Sequence, residues 1–553
     1  MIALVVLGLA LLPGGAAART AYYTGSEEVE GFAAPVDLET GTVGTQVPVA
    51  TEGSPGDVAI SPDGSTAYVT SFEGLARIDI ATNTALSSIP MVTEPWAIAI
   101  SPDGARAYTA NLFDESVSVI DLASGAEVGT PIPVGEFPSA IAVAPDGARV
   151  YVANPLEGTV SVIDTATDTV TATVPVGKFP QGIAVTPDGA RVYVTNEFDS
   201  TVSVIDVATN AVTATVPVGV AGRGVAIAPA GDRAFVVPYE GSVVPIDLAT
   251  NTVDAAIPFS YLSADIAILP DDSRAYLTNR SQIVPRQSLL PLNLATDAFE
   301  SDFELSGEEV EALAIVPDQP PHAAFSASPG STSPGKKVAF DAGASTDPDG
   351  SVARYDWNFG DGTSAANAGP TPKHSYTKAG TYHVTLTTTD NEGCSTRIVF
   401  TGQTTYCNGS AVASATRTVK VKSNCPRIAA NATSFKPKVR PGHVVPGVRV
   451  RLATGKSAKL TVRAKLLWKR HGRSRSTKLG KLSVNVDRWR RVRFPIPASI
   501  RRALPLGTLV TVKLRIKARF HGVGGCAATT ANRTLRVRVV KVFPHAVQKN
   551  RSR

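Results

Sequence analysis

Between Phe179 and Gly219 apolar and polar residues alternate in four short runs, Ile183 to Val185, Val192 to Thr195, Val202 to Asp206 and Val212 to Val216. A period of two sends successive side chains to opposite faces of an extended chain, so the runs predict four antiparallel strands. Pro187-Asp188-Gly189 separates the first two runs. Proline presets φ, aspartate bonds its own backbone and glycine accepts positive φ. That aspartate is therefore a turn former rather than a catalytic carboxylate.

The same turn recurs at Pro62, Pro102, Pro145, Pro187, Pro229, Pro270 and Pro317. Spacings of 40 to 47 residues are those of repeated small sheets. Second strands begin near Tyr22, Ala67, Ala107, Val150, Val192, Ala234 and Ala275, and the first of them has no inner strand before it. Ala312 to Val316 is an inner strand with nothing after it. Joining the two orphans in one blade predicts an all-β fold: a seven-bladed β-propeller sealed by one strand from one end and three from the other.

Tyr193-Val194-Thr195-Asn196, Tyr151-Val152-Ala153-Asn154 and the repeated Ser-Val-Ile-Asp resemble the YVTN family of β-propeller repeats found in secreted and surface-layer proteins. The resemblance covers residues 19–318. Val236-Val237-Pro238 and Leu277-Thr278-Asn279-Arg280 depart from the motif, and altered loops are expected there. After Pro317 to Pro321, which reads as a stiff linker, strands are expected at Val338 to Asp341, Tyr355 to Asp361, Tyr382 to Thr389 and Thr418 to Lys422. Asp347-Pro348-Asp349-Gly350, the run Trp357 to Gly362 and Ala379-Gly380-Thr381-Tyr382 resemble the PKD domain, an immunoglobulin-like β-sandwich, with Trp357 and Phe359 in its core. Gly393 to Ser410 departs from that pattern as an insertion.

Charge divides the chain more sharply than its net +5. Residues 1–320 carry 40 acids and 11 bases, whereas 426–553 carry 1 acid and 33 bases. In the basic part, strands at Leu460 to Leu467, Lys481 to Val486, Val510 to Phe520 and Thr534 to Val542 predict a third domain, a basic C-terminal β-sandwich. A helical turn or two is expected at Pro497 to Leu504, and a basic hairpin loop at Lys469 to Lys478. Lys513, Arg515, Lys517 and Arg519 alternate with apolar residues and form one cationic face. Such a strip is either a solvated face or an attachment to an anionic cell-wall polymer or other polyanion.

Ile2 to Leu12 is apolar and precedes Ala16-Ala17-Ala18, which reads as a secretory signal over residues 1–18. The organisation expected after it is a propeller over 19–318, a PKD domain over 319–424, the basic sandwich over 425–545 and a tail over 546–553. No later run is apolar enough to span a membrane, and a monomer in the extracellular space or cell envelope is expected. Cys394, Cys407, Cys425 and Cys526 read as two disulfides. Cys394 and Cys407 share the insertion and the other two bracket the last domain, but four cysteines allow three pairings.

The predicted propeller contains neither histidine nor cysteine. That removes zinc, haem and copper sites built on those ligands, together with Ser-His and Cys-His nucleophile pairs. The reading is therefore a binding protein without catalytic residue, cofactor or metal. Asp347, Asp349 and Asp361 are the residues through which calcium would enter, although turn formation explains them. The YVTN-type resemblance implies an alternative, a propeller hydrolase such as a lactonase, using a carboxylate and a divalent ion. Ligand, glycan or protein, is expected on the face made by inter-blade loops and by loops between second and third strands. Trp96, Arg223 and Tyr261 break the repeat there, beside Glu94, Glu136 and Asp199, while Phe137 and Phe179 are expected to pack between blades.

Overall fold

The computed structural model describes residues 19–27, 30–51, 53–258, 262–263, 265–279, 287–307, 309–403 and 405–422. It also describes the backbone at 428–431, 447–452, 458–470, 473–486, 490–493, 509–520 and 529–538. The expected signal over 1–18, Tyr261, Cys425, Cys526 and the turn at Pro497 to Leu504 lie outside the described residues. Contacts divide the chain into two compact units, 1–327 with 340–372 and 383–417, and 328–339 with 373–382 and 418–553.

In the first unit seven antiparallel sheets follow one another, each with a path of four strands. The repeat at 179–219 is the blade Pro180–Val185, Arg191–Asn196, Thr201–Asp206 and Ala211–Pro217. The ring closes as the orphan strands require. Glu309–Ile315 lies inside Thr20–Glu27, which is followed outward by Glu30–Asp37 and Val47–Ala50.

The repeated residues explain this geometry. In the Pro187 turn Gly189 stands at φ +68 and Asp188 accepts the Ala190 amide at 3.0 Å, so the carboxylate is spent on the turn. The asparagine ending the YVTN run ties its hairpin together: buried Asn196 donates to Thr201 and Ser203 at 2.9 and 3.0 Å. Arginines that open second strands reach the next blade, as Arg106 does to the Thr165 carbonyl and Arg233 to that of Leu294, both at 3.1 Å. Apolar cores then form between neighbouring sheets, as where Tyr193 and Val204 meet Ile227 and Val244.

The PKD core also follows its sequence. Trp357 and Phe359 are buried, Trp357 packs edge-on against Phe325 with centroids 5.0 Å apart, and its indole donates to the Gly369 carbonyl at 3.0 Å. The strand from Val352 stops at Asn358 rather than Asp361, because Gly360 and Gly362 take φ +75 and +90 and turn the chain away.

The insertion builds a hairpin, Ile398–Phe400 against Thr405–Asn408, stapled by a Cys394–Cys407 disulfide with Cα atoms 5.5 Å apart. Its tip enters the propeller channel. Thr401 and Gly402 accept the amides of Val185 and Val143 at 2.9 and 2.7 Å, and Gln403 that of Ile100 at 3.5 Å. These amides end the inner strands of three successive blades, where no strand partner remains. The stretch expected as a stiff linker is held against the same hairpin: Asp318 donates to Tyr406 at 2.9 Å and accepts from Asn408 at 3.0 Å, while Gln319 donates to the Pro62 carbonyl at 3.1 Å.

The second unit contains two antiparallel sheets beyond residue 427. One orders Ile428–Asn431, Gly447–Leu452 and Arg490–Arg493, and the other Arg473–Val486, Ala458–Arg470, Leu509–Phe520 and Thr529–Arg538. The basic loop expected at Lys469 to Lys478 is instead strand up to Arg470 and again from Arg473. Pairing with the partner strand outweighs the polar composition that suggested a loop. The last strand starts at Thr529 rather than Thr534.

Candidate functional site

Thr70 and Thr195 occupy the third position of their YVTN runs, and each hydroxyl reaches across to the neighbouring blade. Thr70 donates to the Trp96 carbonyl at 2.8 Å and Thr195 to the Arg223 carbonyl at 3.2 Å. The approach leaves no room for a side chain on the blade before. A Cβ on Gly56 would lie 2.3 Å from the Trp96 oxygen, and one on Gly182 equally close to that of Arg223. Trp96 and Arg223 are thereby fixed one residue ahead of the apolar part of their inner strands, at the mouth of the channel.

Both line a single cavity of about 280 Å³, together with Ser139, Gln181, Asp57, Asp265 and Glu311. Gln403 of the inserted hairpin also lines it. Arg223 is anchored by Glu197 at 3.2 Å and lies over the Tyr239 ring, 4.5 Å from its centroid.

Asp57 and Asp265 stand where other inner strands carry Ala97, Ala140, Gly182, Gly224 and Ala312. Each bonds two blades at once. Asp57 accepts the amides of Val58 and Ile98 at 2.8 and 3.1 Å, and Asp265 those of Ile266 and Leu313 at 2.8 and 2.9 Å. Burial within the channel pushes Asp57 up to about 7, helped by the charge of Asp265, and burial pushes Asp265 up to about 6. Neither was among the residues expected to bind. The signal was present as a carboxylate in a column of small residues.

Of the expected residues, Trp96 and Arg223 meet in the pocket, whereas Glu94, Glu136 and Asp199 do not line it. Asp199 accepts the Lys178 amide at 2.8 Å, and Glu94 and Glu136 are exposed on loops. Phe137 and Phe179, expected between blades, are part-buried. They pair on the loop rim with Phe113 and Phe198, at 6.1 and 4.4 Å, and the partner rings are 63% and 67% exposed.

A second acidic cluster lies at the propeller–hairpin junction: Asp318, Asp347, Asp349, Asp390 and Glu392. Asp318 and Asp390 are 5% and 4% exposed, and Asp318, Asp347, Asp349 and Asp390 each keep a buried oxygen without a hydrogen-bond partner. Burial, then the charge of Asp390, pushes Asp318 up to about 9; Asp347 and Asp349 are held up to about 7 and about 6. Protons or a hard divalent cation can neutralise such a group. In this arrangement no three of these carboxylates bring their oxygens within 4.8 Å of one another, so a cation would have to draw them inward. Asp361, the third residue of the calcium reading, is elsewhere, accepting the Thr363 amide at 3.1 Å.

A propeller whose channel receives a hairpin, joined to an immunoglobulin-like module, defines a class of scaffold rather than a chemistry. Known families agree with the architecture. A model described as a YNCE-like beta-propeller matches residues 139–230, and one for the PKD domain matches 318–405. Among curated proteins, the pre-pro-metalloprotease PrtV of Vibrio cholerae is 53% identical over 49 residues, and collagenase ColA of Clostridium perfringens 45% over 58. These stretches are 9% and 10% of this chain, and the chain spans only 5% of either relative's length. Similar solved structures include hydrazine synthase of Kuenenia stuttgartiensis, at 24% identity and TM-score 0.40, covering 45% of this chain and 86% of that one. A functionally unknown protein from Desulfotomaculum acetoxidans has 15% identity and TM-score 0.48, covering 54% and 98%. No helix among the described residues is long and apolar enough to cross a membrane.

Proposed function

We propose that this chain is an exported interaction protein whose propeller binds a glycan or protein ligand at the channel mouth, while its basic C-terminal sheet attaches to a polyanion. The observation carrying this reading is the convergence of Trp96 and Arg223, residues that break the repeat, on one pocket. Export is supported by the apolar N-terminal run and by the Cys394–Cys407 bond, since disulfides persist in oxidising compartments. The PKD relatives are named as a pre-pro-metalloprotease and a collagenase, which fits work outside the cell.

For the polyanion, strand register widens the cationic strip. Lys459, Arg463 and Lys465 stand opposite Arg519, Arg515 and Lys513, so two neighbouring strands carry bases at positions of one face. Screening purified wild-type protein on glycan and protein arrays, beside Trp96→Ala and Arg223→Ala, tests the mouth. Loss of the hits with an unchanged melting temperature is expected; hits that survive both substitutions place binding elsewhere. The hydrolase alternative draws on Asp57, whose raised pKa suits proton transfer near neutrality. Lactone turnover that a chelator abolishes would put it first.

A further inference from the structure

The rim around the mouth repeats one pairing. Phe72-Glu73, Phe113-Asp114, Leu156-Glu157, Glu197-Phe198 and Tyr239-Glu240 occupy the loop between second and third strands on five successive blades. Each sets a large apolar side chain beside an acid. Phe72, Leu156 and Phe198 are 48%, 59% and 67% exposed. Isolated exposed apolar residues are ordinary, but the same loop carrying one on blade after blade, around a pocket, marks a docking surface.

Charge identifies the occupant. Asp57, Asp265 and Glu311 line the pocket, and among its described lining residues the one cation, Arg223, is engaged with Glu197 and Tyr239. No three propeller carboxylates bring their oxygens within 4.8 Å of one another among the described residues, so the acids of the mouth are spread more widely than the ligands of one ion. Acids spaced more widely suit a ligand with length. Trp96, 38% exposed, lines the same pocket, and an aromatic ring there can attract an organic cation.

We propose that the mouth receives the ammonium or guanidinium end of a lysine or arginine side chain, presented by a polypeptide segment in which basic and apolar residues mix. This rests on the reading that the mouth is a ligand site. A cavity of about 280 Å³ has room for a side chain, and the apolar and acidic rim holds the flanking residues. A free polyamine shares the charge but would leave the rim unused.

Fluorescence anisotropy on the full chain tests it, using a labelled, capped peptide with one lysine between phenylalanines, the same peptide with norleucine for lysine, and spermidine as competitor. The lysine peptide is expected to bind on the order of tenfold more tightly than its norleucine counterpart. Glu311→Gln and Asp265→Asn should remove that difference, whereas Phe113→Ser and Phe198→Ser should weaken both peptides. Asp265 joins two blades, so Glu311→Gln keeps the test decisive should Asp265→Asn unfold early. Equal binding of the two peptides overturns the cation. Displacement by spermidine at the lysine peptide's own affinity overturns the polypeptide. A neutral array ligand lost in Trp96→Ala, with no binding of the lysine peptide, sinks the cation and leaves the mouth standing as a site.

Discussion

Single atoms decide several features of the propeller. Gly182 has no room for a methyl group because the next blade's carbonyl already occupies the space. Gly182→Ala is expected to cost about 1–3 kcal/mol in denaturant unfolding, the usual penalty for forcing atoms into a packed site. The junction carboxyls act through pH. With folded values raised to about 9, about 7 and about 6, Asp318, Asp347 and Asp349 hold protons more tightly folded than unfolded. Their contribution to stability is therefore fully present only below the unfolded value of 3.8 and is lost as pH climbs through the folded ones. Asp318→Asn should leave stability nearly unchanged near pH 3 and raise it progressively above that, by on the order of 3–6 kcal/mol at pH 8. Millimolar calcium should raise the wild-type melting temperature at pH 8 more than that of the variant. A variant less stable than wild type at pH 8 without calcium contradicts the account.

At the scale of the element, the hairpin is a structural part of the propeller rather than an ornament of the PKD domain. Three inner-strand amides end on its tip. Replacing both Cys394 and Cys407 with serine should remove about 2–4 kcal/mol of restraint and speed hydrogen exchange at Val143 and Val185, with little change at Val204 in a mid-blade strand. Uniform exchange across all three would show that the staple does not hold the plug. Most of this level was legible in the residues: alternation and Pro-Asp-Gly turns marked the blades, and orphan strands marked the closure. The destination of residues 401–403 was not, since a backbone carbonyl meeting an amide more than 200 residues away leaves no local pattern. The site was legible in part for a related reason. Divergent loops reveal exposure, which Glu94, Glu136 and Phe113 have, whereas convergence on a cavity depends on the column a residue occupies. Read by column, Asp57 and Asp265 stand out among alanines and glycines.

For the whole molecule, opposite charges are segregated along one chain, −29 over 1–320 and +32 over 426–553. Exposed charges are screened over about 10 Å at 0.1 M salt and about 3 Å at 1 M. Attachment through the basic sheet should therefore release from cell walls in concentrated salt without detergent, and neutralising Lys513, Arg515, Lys517 and Arg519 together should weaken it. Retention in 1 M salt, or binding unchanged in the fourfold variant, argues for another mode of attachment.

The closure of the ring also has a mechanical side. Thr20–Glu27 runs antiparallel to Glu309–Ile315, so the chain enters and leaves the propeller at the same end of one ladder. Tension between the two exits would not shear that ladder but peel it, pair by pair, beginning where Ala21 faces Ile315. At that end Arg19 grips Asp271 and Glu392 at 2.7 and 2.8 Å, two partners on different modules. The first contact to feel a pull is thus a doubly held guanidinium. A tethered propeller would keep its seam shut until Arg19 lets go.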